Sequence, residues 1–211
     1  MGLKSFFALI TMEWLAVSRR GWQMGAGLLL FLLLCFLSPY LGIAAAQLSA
    51  FLWVGLLFAV LLGLERLFRE DLADGTLARY KIAHFPLWLV AMIKAVFNWL
   101  VVVVPLALLA PLLLENNKIE HNMLVVASLA MAGLVFSFYG MMLAALTAMA
   151  QHVSLLQPLL LLPLYLPALI FGVDVVNNGW GASFFYLAAF AVSSLLIAPM
   201  IAGFALDANL A

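Results

Sequence analysis

The chemistry available to this 211-residue chain rests on three histidines, one cysteine, nine acidic and nine basic side chains. His84, His121 and His152 fall at the predicted edges of apolar runs. None has a second ligand at helical spacing, so no metal site is expected. Cys35 stands alone inside an apolar run, which rules out a disulfide framework. No Ser/His/Asp arrangement and no H-E-x-x-H is present, so no catalytic set is expected and the chain is read as not an enzyme. It also lacks G-x-x-x-x-G-K-S/T and therefore does not bind ATP by a P-loop. Lys94 lies inside an apolar segment, where a lysine is a functional candidate by default. It sits only about two turns from the segment's end, so a side chain snorkelling to the interface is the expected account. Asp174 and Trp180 belong to a short polar stretch and could meet a substrate, with solvent-facing filler the plainer reading. The densest chemistry is "LERLFREDLADGTLARYKIAHF", Leu64 to Phe85, which gathers Glu65, Arg66, Arg69, Glu70, Asp71, Asp74, Arg79 and Lys81.

What positions these groups is a bilayer. The chain is 68% hydrophobic and 9% charged, against about 25% charged in a soluble domain. It cannot cover itself with polar surface. A formal net charge of zero argues against nucleic acid as a partner. A spanning helix needs about 20 apolar residues, and six segments qualify: Trp22–Leu41, Leu48–Leu64, Leu87–Leu114, Met123–Ala150, Leu155–Gly172 and Ala182–Leu206. The expected class is an all-α polytopic membrane protein, with one transmembrane domain over residues 1–211. No cleavable signal is evident. Ahead of the first span, Leu3, Phe6, Phe7, Ile10, Trp14 and Val17 share one helical face, which suits an interfacial helix over residues 3–20. With six spans, Lys4, Arg19, Arg20, Arg66, Arg69, Arg79 and Lys81 lie on one side and Lys118 on the other. The positive-inside rule makes the first side cytoplasmic, along with both termini.

The charged stretch is then the main cytoplasmic loop. Asp74-Gly75 is a turn signal. Asp74 or Thr76 is expected to cap a short helix running to about His84, with Leu77, Tyr80 and His84 on one face. Pro86 suits the first turn of the next span. Such a loop is either a solvated connector or a docking element for a cytoplasmic partner. Elsewhere, Gly133, Ser137, Gly140, Ala144 and Ala148 mark a face of close helix contact. Pro105 and Pro111 in the third span, and Pro158, Pro163 and Pro167 in the fifth, are expected to bend their helices.

The run Leu64-Glu65-Arg66-Leu67-Phe68-Arg69, followed by Asp71 and Asp74-Gly75-Thr76-Leu77, resembles the signature of the haem exporter protein B family, a membrane component of the cytochrome c maturation system. Lys94, Trp99, Pro105 and Pro111 match its spacing, as do "LPLYLPALIF" (162–171), Ala198-Pro199 and Ala205-Leu206. Two departures stand out. Ala78-Arg79 replaces an acidic residue, and Asp207 stands where a basic one is usual. The resemblance implies the transmembrane half of an ABC transporter, six spans in a two-fold homodimer in a bacterial or mitochondrial inner membrane. It further implies a coupling helix between spans two and three that sits in a groove of a separate ATPase subunit. On that reading Phe68, Asp71, Asp74, Gly75, Leu77 and Tyr80 form the ATPase-docking element. The other implied partners are a tryptophan-rich haem-handling membrane subunit, a small single-span subunit and a periplasmic haem chaperone. Haem is the implied substrate, ATP stays on the partner, and no cofactor is assigned to this chain. The alternative is a scaffold that anchors the ATPase and transmits its motion without passing haem.

Overall fold

A computed structural model of the chain describes residues 45–64, 67–113, 119–149 and 153–210, together with isolated positions between 11 and 40. The expected interfacial helix and first span lie outside the continuously described residues, as do Glu65, Arg66, Lys118 and His152. Among the described residues the secondary structure is entirely helical. Lipid offers the backbone no hydrogen bonds, so each segment must satisfy its own N–H and C=O groups.

The elements are α1 (Ala45–Leu64), α2 (Arg69–Ala73), α3 (Thr76–Ile82), α4 (Leu87–Asn98), a π-helical turn (Trp99–Val103), α5 (Val104–Leu113), α6 (Ile119–Leu146), α7 (Val153–Asn178) and α8 (Ala182–Asn209). Four stretches are long and apolar enough to cross a membrane: Leu87–Pro111, Asn122–Leu146, Leu159–Asn178 and Ala182–Asn209. They coincide with the expected third to sixth spans. Helix α1 falls on the expected second span. The chain is a multi-pass membrane protein.

Helix α6 is the hub, packed against α1, α4, α5, α7 and α8. Residues 135–141 are all buried, so its middle is enclosed on every side. Small residues make this possible. A Cβ on Gly133 would collide with Val103, and one on Gly140 would collide with Leu64 and the Tyr165 hydroxyl. The expected close-contact face is therefore filled from within this chain. Tyr165 donates from its hydroxyl to the Phe136 carbonyl, 2.5 Å away, and so ties α7 to α6.

The prolines behave in two ways. Ahead of Pro105 the helix widens into the π turn, where the Val104 N–H donates to the Trp99 carbonyl. Proline lacks an N–H and crowds the carbonyl four residues back, and a wide turn relieves that crowding. Pro111 lies within α5. In the fifth span, α7 runs as one helix through Pro158, Pro163 and Pro167. It also continues past Gly172, which puts Asp174 on the helix rather than in a loop. Asp174 accepts hydrogen bonds from Asn178 Nδ2 and Ser183 Oγ and so closes the α7–α8 corner. Those partners give Asp174 a structural role. Trp180 is exposed and stands edge-on to Phe184.

Candidate functional site

The charged loop is built from two short helices folded against the end of the bundle. After α1, Leu67 and Phe68 turn inward and are buried. Helix α2 stops because Gly75 takes a left-handed conformation, φ 69°. The Asp74 N–H then bonds the Glu70 carbonyl and the Gly75 N–H bonds the Leu72 carbonyl. The same glycine opens α3, its carbonyl accepting from the Arg79 N–H at 3.1 Å. No side chain caps α3, so the expected Asp74 or Thr76 cap is not formed. Backbone geometry performs the reversal instead.

The end of α3 shows why the chain turns back to the membrane. The His84 N–H bonds the Lys81 carbonyl and the Phe85 N–H bonds the Tyr80 carbonyl, each at 3.0 Å, with His84 left-handed at φ 57°. This is the Schellman arrangement, with its usual apolar contact supplied by the Tyr80 and Phe85 rings, 6.1 Å apart edge to face. Pro86 stands at the N-cap of α4, one position before the first turn.

No atom would meet a Cβ on Gly75, so a substitution there is opposed by backbone strain alone. We expect Gly75→Val to destabilise the loop by about 1–3 kcal/mol. Gly75→Asn should be near neutral, since asparagine tolerates this region. Limited proteolysis of the two variants in detergent should show faster loop cleavage for valine only; equal rates would mean that Gly75 is not held left-handed.

Inside the loop, Lys94 Nζ lies 2.7 Å from Asp71 Oδ2, with side chains 2% and 9% exposed. The expected snorkelling does not occur. The Lys94 ammonium is buried, and the carboxylate beside it comes from α2. Two expected docking residues besides Asp71 also point inward: Phe68 and Leu77 are 1% and 0% exposed. The loop's apolar face is thus buried against its own bundle. One turn beyond Lys94, Asn98 Nδ2 donates to Ser137 Oγ at 3.2 Å, joining α4 to α6. At the loop's edge, Lys81 Nζ donates to the Asp207 carbonyl at 3.1 Å and stands 3.8 Å from its carboxylate. This explains the acidic residue after the last span: it meets a lysine of the loop. Asn209 Nδ2 bonds the Ala145 carbonyl at 3.3 Å and fixes the same end of α8 to α6.

The outward surface is left to Asp74, Arg79, Lys81, Ile82 and His84, all exposed, with Tyr80 half-buried. Ile82, 78% exposed, is an apolar side chain among charges. Asn98 and Ser137 carry a signal in the sequence, as polar residues inside apolar runs, although a serine in line with glycines reads first as a small residue.

The profile of the CcmB protein family matches residues 4–209, which takes in the loop, the ion pair and all the described helices. The chain belongs to the CcmB family. Relatives named Heme exporter protein B include that of Paracoccus denitrificans, 38% identical over 96% of this chain and 99% of the relative. That of Rhodobacter capsulatus is 37% identical over 82% of each. In this CcmB chain, the spans and the folded loop are therefore parts of one family-wide unit rather than a core with an appended segment.

Proposed function

We propose that this chain is the membrane subunit of an ABC-type haem exporter complex for cytochrome c maturation, and that its charged loop docks a separate ATPase subunit. The observation that carries this is the loop's construction. Phe68, Leu77 and Asp71 are committed inward, while Asp74, Arg79 and Ile82 face out on a surface held by backbone caps and an ion pair. A solvated connector needs no such mounting. The names of the Paracoccus and Rhodobacter relatives support haem as the transported species. In this reading both termini and the loop are cytoplasmic, the chain sits in the inner membrane as a homodimer, and the haem-handling subunit, single-span subunit and periplasmic chaperone complete the complex.

A second reading has one observation in its favour. Among the described residues the spans hold one cation, Lys94, and it is already paired. A route for a dianionic porphyrin would use cations of its own. The chain then transmits ATPase motion to a haem-handling neighbour instead of passing haem itself.

Both readings require the docking face. Interface affinity concentrates in apolar anchors, with charges at the rim giving orientation. The variant Ile82→Asp with Asp74→Lys should insert normally and retain the ATPase about tenfold less well, a loss of about 1.4 kcal/mol. Co-purification from membranes at matched expression measures this. Undiminished retention would return the loop to a connector.

A further inference from the structure

We propose that Asp71 and Lys94 are positioning residues whose ion pair fixes the register of the loop against α4, so that displacement of the loop enters the bundle through this joint. The inference rests on the docking reading above, but it concerns a different surface: the inward one.

The pair is a poor choice for stability alone. Withdrawing two charges from water is costly, and well-packed apolar residues of similar volume often hold a fold as well or better. What an ion pair adds is a single permitted geometry. Apolar surfaces can slide past one another with little change in free energy. A carboxylate and an ammonium at 2.7 Å in a medium of low polarity cannot separate without losing their mutual attraction where it is strongest. A joint that must convey motion rather than merely cover a surface has this requirement.

The placement supports the same conclusion. Asp71 is on the five-residue α2, and Lys94 is about two turns inside the long α4. Asn98, one turn further along α4, is bonded to Ser137 on α6. A polar sequence therefore runs from the loop to α4 and from α4 to the hub helix, all of it buried. A second link between loop and bundle, Lys81 to Asp207, has side chains 41% and 57% exposed. Exposed pairs of this kind hold weakly. The buried pair is stiffer than this exposed one.

The test is made on the assembled complex with its ATPase, following ATP hydrolysis and the release of haem-loaded chaperone together. Single substitutions leave one charge of the pair buried without the other, so the deciding variant is D71L/K94M, which removes both. We expect normal assembly, ATPase retention within twofold of wild type, and at least a tenfold fall in chaperone released per ATP hydrolysed. Release per ATP within twofold of wild type would show that the pair only fills space, and would overturn the proposal while leaving the docking reading intact. Loss of ATPase retention in a folded D71L/K94M complex would overturn it too, by placing the pair in the docking surface. Should this variant fail to assemble, the neutral pair D71N/K94Q decides on the same readouts. Failure of both to assemble would make the pair a folding element and end the proposal. The docking reading fails separately, if the Ile82 and Asp74 substitutions leave retention unchanged.

Discussion

Gly140→Leu is expected to prevent the bundle from closing. Its side chain would have to occupy space held by Leu64 of α1 and the Tyr165 hydroxyl of α7, both of which crowd the same α6 turn. Neither neighbour has a free direction, since Leu64 and Tyr165 are both 0% exposed. Overpacking of a closed core costs about 1–3 kcal/mol. Displacing Tyr165 also breaks its bond to the Phe136 carbonyl, which adds about 1 kcal/mol or more where no water can replace it. The yield of detergent-solubilised monodisperse protein should fall severalfold, and its melting temperature with it. Wild-type yield and melting would mean that α1 and α7 do not meet at this turn.

Lys94→Met is expected to be nearly as damaging, for an electrostatic reason. It leaves the Asp71 carboxylate buried without the Lys94 ammonium, a loss of about 3–5 kcal/mol for pairs of this kind. Adding Asp71→Leu removes the remaining charge of the pair and should restore most of the lost stability. This non-additivity is the signature to measure, by thermal unfolding of the two singles and the double. A snorkelling lysine would behave otherwise: its methionine variant would be close to neutral and indifferent to residue 71. Additive, small effects would therefore disprove the buried pair.

The two sites differ in how far they can be read from the sequence. Gly133, Ser137 and Gly140 are legible as a close-contact face, because small residues at helical spacing have few other uses in lipid. The turn at Asp74-Gly75 is legible too, and Gly75 is left-handed as its place after a short helix requires. The Asp71–Lys94 pair is not legible. Periodicity places a residue on a face of its own helix but does not say which element will lie opposite. Phe68 and Leu77 misdirect for a related reason. An apolar stripe at the membrane border can cover the home bundle or a partner, and composition is the same in both cases. Asp207 reads as a departure from the family pattern, and only the fold, by setting Lys81 beside it, gives it a purpose. The helix α7 runs on through all three of its prolines, since a long apolar segment in lipid has no alternative that satisfies its backbone better.

The wide turn at Trp99–Val103 has a consequence for the whole third span. Toward its far end one row of buried positions steps by four residues, Asn98, Val102, Leu106 and Ala110, beside the buried Val103 and Ala107. A helix of 3.6 residues per turn drifts about 40° for each such step. Left uncorrected, that drift would carry Leu106 and Ala110 around toward lipid. The π turn takes up one surplus residue, and so resets the screw midway along the span. The span thus works like a vernier, two scales of slightly different pitch brought into coincidence at a single mark. Its length between Lys94 and Pro105 is consequently as much a part of its design as the identity of any residue in it.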